Sequence, residues 1–104
     1  MQCVMCIVIV YFAVHLTYLQ DGAVPLREEA QAKCEAEGLT LAHKYDARAA
    51  FEVGEESCAC GWLSDGSKVE LVHAARVGCS DEQEFGLHDC DAESAIPICV
   101  DSSI

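Results

Sequence analysis

Eight of the 104 residues are cysteine, and cysteine at that density constrains a small chain more than any other feature. Cys34, Cys58, Cys60, Cys79, Cys90 and Cys99 are spread through the second two-thirds of the sequence. About 100 residues make one small domain with a thin core, so covalent cross-links weigh heavily in whether it folds. Such a count argues for an oxidising compartment and disulfides, with metal binding inside the cell as the alternative.

The charge balance narrows the partners. Eighteen acidic residues face six basic ones, a net charge of -12. Phosphates reward lysine and arginine, so nucleic acid and anionic membrane surfaces are excluded as nonspecific ligands. The same balance opposes an acidic polysaccharide. A well-solvated extracellular surface accounts for the acidity.

Residues 1–20 carry no Asp, Glu, Lys or Arg, and Val4 to Val14 is strongly apolar. This pattern is that of a secretory h-region, although a basic n-region and a small-x-small cleavage site are missing. A membrane anchor needs about 20 apolar residues, and His15, Thr17, Tyr18 and Gln20 interrupt the far end. Asp21-Gly22 is a turn. Pro25 suits the first turn of a helix, where its missing N–H costs nothing. Glu28 and Glu29 complement the positive end of the helix dipole. Leu26, Ala30 and Cys34 recur every four residues as one buried stripe, and Gly38 is a C-terminal stop. A short strand is expected at Leu41-Ala42. A second helix is expected from Lys44 to Val53, with Ala47, Ala50, Phe51 and Gly54 on its apolar face. Strands are expected over Ala59–Ser64, Lys68–Val72 and Ala95–Val100, with loops between them.

The chain is organised around Cys58 to Cys79, CACGWLSDGSKVELVHAARVGC. Gly61 lets the backbone approach its neighbours closely. Trp62, the single tryptophan, is a natural centre for a small core. Asp65-Gly66 signals a hairpin turn, and Val69 and Leu71 leave it as a strand.

This stretch resembles the Link module, the hyaluronan-binding domain of the C-type-lectin-like fold. The family pattern is roughly Cys-x-x-Gly-Trp-Leu-x-Asp-Gly, a Tyr-Pro-Ile strand, then Arg-x-x-Cys. Cys58, Gly61, Trp62, Leu63, Asp65, Gly66, Arg76 and Cys79 match it. Glu70 stands in place of the tyrosine, and Leu71-Val72 in place of Pro-Ile. Ala13 to Thr17 is similar to the family's first strand, and Glu29 to Gly38 to its first helix. The resemblance extends from Ala13 to about Val100. It implies an α+β fold: two short helices packed on small antiparallel sheets and stapled by disulfides. Residues 1–12 are then a targeting segment, short for a complete signal, and residues 13–104 the Link domain.

The resemblance implies the pairs Cys34–Cys99 and Cys58–Cys79. Cys60 and Cys90 are extra to the family pattern and are expected to pair with each other. The competing reading is a zinc site from Cys58-x-Cys60 and His88-x-Cys90, since thiolate and imidazole suit zinc. Its spacing is not the usual C-x-x-C, and no metal or other cofactor is expected. Calcium in the acidic run Asp81, Glu82, Glu84, Asp89, Asp91 and Glu93 is a further possibility. Link modules do not require it, and a hydrated loop is the reading adopted.

As implied by the family, hyaluronan lies in a shallow groove where aromatic rings stack on sugars and Lys or Arg meets carboxylates. The positions of the family's basic-aromatic dipeptide are Gly22 and Ala23, and another such pair falls on Ala59 and Cys60. Arg76 is the leading candidate for a carboxylate contact, with Lys68, His73 and His88 behind it. The competing readings are a loop-bracing arginine, a solvated turn lysine and loop histidines. Trp62 is expected in the core, and Tyr45 on the helix surface. No Gly-x-Ser-x-Gly, HExxH or phosphate loop occurs, and no catalytic constellation is expected.

The expected function is therefore an extracellular carbohydrate-binding module in matrix or cell adhesion. Its partner would be hyaluronan or a related glycosaminoglycan, with no nucleic acid. The alternative is a Link-fold structural or protein-interaction module that has lost the sugar groove.

Overall fold

A computed structural model describes residues 15–72 and 86–101. In chain order the elements are β1 (Thr17–Tyr18), α1 (Arg27–Ala36), β2 (Thr40–Leu41), α2 (Lys44–Glu52), β3 (Ser57–Trp62), β4 (Lys68–Val72), β5 (Gly86–Asp89) and β6 (Ile96–Val100). They form one sheet in the order β1-β6-β3-β4-β5, with β2 also paired to β6. Pairing is antiparallel except between β3 and β6, which run parallel through Gly61↔Ile96 and Trp62↔Pro97. Two helices on a disulfide-stapled mixed sheet give the α+β class.

Strand alternation sends neighbouring residues to opposite faces, and β6 uses both. Cys99 joins Val24, Ala30, Cys34, Leu41, Trp62 and Ala95 in a core cluster on the α1 side. Ile98, its neighbour, joins Ala42, Ala47, Leu63, Val69 and Leu71 on the α2 side. Each helix thus covers one face with small residues: Ala30 and Cys34 from α1, Ala47 and Ala50 from α2. Small side chains let the helix backbone lie close to the sheet.

The first helix starts later than its periodicity predicts. Leu26 is its N-cap, extended at φ -123 and ψ 143, and 55% exposed. It is not part of the buried stripe, and Pro25 precedes the helix. The cause is an antiparallel bridge between Val24 and Ala95, which keeps the chain extended before α1. Val24 takes the core position instead. Gly54 likewise is not on the apolar face of α2. It sits beyond the C-cap Val53 at φ 102, and donates to Phe51 O at 3.0 Å. Glu55 N then reaches Ala50 O at 3.0 Å, so the glycine closes the helix by entering the left-handed region. The β5 strand was not expected, because its residues Gly86-Leu87-His88-Asp89 read as acidic loop. Backbone pairing to β4, from Val69↔Asp89 to Val72↔Gly86, makes it a strand. Residues 1–14, and with them the expected targeting segment and the start of the expected first strand, lie outside the described residues.

Candidate functional site

The face marked by the resemblance is built on β4, its turn and β5. The β3–β4 turn is set by Asp65, whose carboxylate accepts from Ser67 Oγ at 2.6 Å and from Ser67 N at 3.0 Å. These bonds, the side-chain one foremost, hold the Asp65 carboxyl below the usual carboxylate range. Lys44 Nζ stands 3.8 Å away as a weaker, exposed partner. Leu63 N closes the turn on Ser67 O at 2.9 Å. Trp62 is thereby placed opposite Lys68.

Lys68 is not a solvated turn residue. It opens β4 half-buried, its ammonium 5.1 Å from the centroid of the Trp62 ring. The same ammonium donates to Ala92 O. Cation–π and carbonyl contacts together hold the side chain flat against the protein. Gripping a ligand carboxylate would require breaking both.

The segment after β5 is a strap across the tryptophan. Cys90 is bonded to Cys60, with Cα atoms 5.9 Å apart, and Cys90 N donates to Lys68 O at 3.0 Å. Ala92 receives Lys68, and Ala95 exchanges two bonds with Val24 at 2.9 and 3.0 Å. Trp62 Nε1 donates to Val24 O at 2.9 Å, and the ring is 8% exposed. Asp91 and Glu93 remain exposed on this strap. The Cys34–Cys99 bond ties α1 to β6, with Cα atoms 5.6 Å apart. Cys58 is also disulfide-bonded; its expected partner Cys79 lies outside the described residues. With Cys58, Cys60 and Cys90 all in disulfides, no thiolate is left there for zinc. Among the described residues no group of three His, Cys, Asp or Glu is arranged to hold a metal.

Of the four candidate ligand residues, the structure brings Lys68 and His88 into adjacent strands. His88 lies in β5, not in a loop, and pairs with Glu70 across the ladder. A glutamate thus occupies the position where the family carries a tyrosine. Arg76 and His73 lie outside the described residues, as do Asp81, Glu82 and Glu84. Gly22 and Ala23 offer neither ring nor cation. Tyr45 is 78% exposed at the start of α2, stacked on His43 with centroids 4.8 Å apart.

The sequence reading missed a second polar centre, on β1. The Tyr18 hydroxyl donates to Glu55 Oε1 at 3.0 Å, and His15 Nδ1 lies 3.5 Å from Glu55 Oε2. Burial first, and the Glu55 carboxylate second, push the Tyr18 phenol well above its ordinary value. The only available signal was Gly54, whose left-handed turn delivers Glu55 to that place.

Among the described residues no helix is long and apolar enough to cross a membrane. No curated protein matches the sequence. A family model, the extracellular link domain, matches residues 17–96. That family consists of extracellular binding modules for carbohydrates and proteins, not of enzymes. The matched span runs from β1 to the start of β6 and contains the tryptophan, its turn and the strap; the chain belongs to the extracellular link domain family.

Proposed function

We propose that this chain is a secreted or cell-surface carbohydrate-binding module whose inherited ligand is hyaluronan or a related glycosaminoglycan. The observation that carries the reading is the family match over residues 17–96. Recognition is by a preformed surface, and no bond in the ligand is made or broken. Arg76 meets a ligand carboxylate, with His73, His88 and, once released from Trp62, Lys68 in support. Residues 1–12 serve targeting, and 13–104 form the module.

A specific observation favours a second reading, a Link-fold interaction module that has lost its sugar groove. The Lys68 ammonium is engaged by Trp62 and Ala92, and positions 22, 23 and 70 hold Gly, Ala and Glu. With a net charge of -12, the surface repels a polyanion at neutral pH. The two readings separate on immobilised hyaluronan at physiological salt and mildly acidic pH, where screening and the charging of histidines reduce the like-charge repulsion. Retention of the oxidised, folded protein, weakened by Arg76→Ala, supports the first. Passage straight through the column removes it and leaves the second.

A further inference from the structure

Cys60 and Cys90 form the bridge that is extra to the family pattern, and its surroundings differ from those of the core bridge. Cys34 and Cys99 are fully buried within the α1-side cluster. Cys60 packs only against the edge of that cluster, and both Cys60 and Cys90 are half-buried. A disulfide exchanges only where an attacking thiolate can reach a sulfur, so the more accessible bridge is the more labile one.

The bridge also lies where little else holds the chain. Trp62 pairs with Lys68, and Cys90 N donates to Lys68 O at 3.0 Å. Trp62, Lys68 and Cys90 therefore form a row across β3, β4 and the end of β5. From Cys90 the strap turns back to Ala95, where Val24 fixes it. Between these anchors Asp91, Glu93 and Ser94 stand in solvent and Ala92 is half-buried. None of the four belongs to either core cluster. The middle of the strap instead holds Lys68, whose ammonium donates to Ala92 O while it lies 5.1 Å from the Trp62 centroid.

We propose that the Cys60–Cys90 bond is a redox latch: a dithiol reductant opens it in the folded protein, and the loosened strap then releases Lys68 and uncovers Trp62. One thiolate of the reductant attacks a sulfur of the bridge. A mixed disulfide forms, and the other protein sulfur leaves as a thiolate and takes a proton. The second thiol of the reductant then displaces the remaining protein sulfur, and the reductant departs as its own disulfide, leaving two protein thiols. The Cys34–Cys99 bond and both core clusters stay in place, so the fold outlasts the step. The strap keeps its β5 pairing at one end and Val24 at the other. Its middle regains conformational freedom, and Ala92 O no longer has the fixed position that the ammonium bond needs. The freed cation is the one that the glycosaminoglycan reading calls on, but the latch stands on the strap alone and is tested without a ligand.

The test uses the full-length, oxidised protein. It is treated with limiting dithiothreitol under native conditions, its free thiols are alkylated, and the sites are mapped by mass spectrometry. Alkylation of Cys60 and Cys90 before Cys34, Cys58 or Cys99 is expected. In the same samples the acylation rate of each lysine amine is measured with an N-hydroxysuccinimide ester. Lys68 should react about fivefold faster after reduction, the scale of a lost cation–π contact, while the exposed Lys33 and Lys44 keep their rates. Re-oxidation should restore the slow rate. Cys60→Ser combined with Cys90→Ser should show the fast rate without reductant; if that variant does not fold, the reduced wild-type protein decides alone. Retained amide protection in α1 and β6 shows that the fold persists. Earlier opening of another bridge, or an unchanged Lys68 rate in the selectively reduced protein, overturns the proposal. Loss of protection across α1 and β6 on selective reduction also overturns it, and makes the bridge a structural staple.

Discussion

Gly61 and Ile98 meet across the β3–β6 junction with no room for a methyl group. A Cβ built on Gly61 would overlap Ile98 Cδ1 and Cγ1, and would sit 3.4 Å from Ile96 O. The parallel pairing of β3 with β6 brings the two strands together at this point, and the fully buried Ile98 fills the space that a side chain would take. Gly61→Val should destabilise the protein by about 1–3 kcal/mol, as overpacking of a close-packed core does. Gly61→Ala should fall at the lower end, since it adds one carbon where valine adds three, although Ile98 Cγ1 as well as Cδ1 must shift to admit it. Urea unfolding of the oxidised variants measures this; an unchanged midpoint in Gly61→Val would refute the close approach.

Trp62 is held at both ends. Its indole N–H donates to Val24 O, and its ring lies under the Lys68 ammonium. Trp62→Phe keeps an aromatic but loses the hydrogen bond and part of the volume, at an expected cost of about 2–3 kcal/mol. Lys68→Met, which keeps the stem and removes the charge, should cost under about 1 kcal/mol, the size of an accessible cation–π contact. The reverse ranking in chemical denaturation would show that the strap, not the tryptophan, organises this region.

The Cys60–Cys90 bond closes a loop with a sequence separation of 30, and Cys34–Cys99 one of 65. Chain-entropy arithmetic assigns roughly 3.5 and 4 kcal/mol to such loops. Replacing Cys60 and Cys90 together by alanine should lower stability by about the first amount. It should also speed amide exchange over 89–95, because the bond is an anchor of the strap. Exchange that stays slow there would mean that the Val24–Ala95 bridge suffices.

Tyr18 predicts an alkaline dependence. Its phenol has a raised folded-state pKa, so its contribution is complete below the unfolded value, near 10. Above that pH the unfolded chain releases the proton first, and stability falls as pH rises towards the folded value. The local slope should reach about 1.4 kcal/mol per pH unit. Tyr18→Phe should be less stable at neutral pH, by about 1 kcal/mol for the lost bond to Glu55, and should flatten that fall. Rapid unfolding measurements from pH 9 to 11.5 give the comparison; parallel curves would rule out this tyrosine as the source.

Much of the scaffold was legible in the chain. The spacing of Gly61, Trp62, Asp65 and Gly66 gave the central hairpin, and the alanines gave both helix faces. The missed elements share one cause: they depend on partners far away in sequence. Leu26 matched a helical stripe, yet the bridge from Val24 to Ala95 keeps the chain extended and leaves that side chain in solvent. His88 and Asp89 are polar residues with no strand pattern of their own, and the β4 edge recruits them. The candidate site was legible only as a set of substitutions at family positions. Lys68 looked like a free cation until folding laid it on Trp62.

By itself the sequence determined the class of object. Its cysteines call for cross-links, its central motif for a tryptophan-centred sheet, and its acidity for a surface that does not attract polyanions. Those properties are local or additive, so a linear reading captures them. Only the tertiary structure decided which polar groups are already in use. Lys68, Glu55 and Asp65 are engaged within the protein, while among the described residues no hydrogen bond or ion pair takes the side chains of Gln20, Asp21, Lys33 and Glu37. Availability of a side chain for a ligand depends on distances between residues remote in sequence, and folding alone sets those distances.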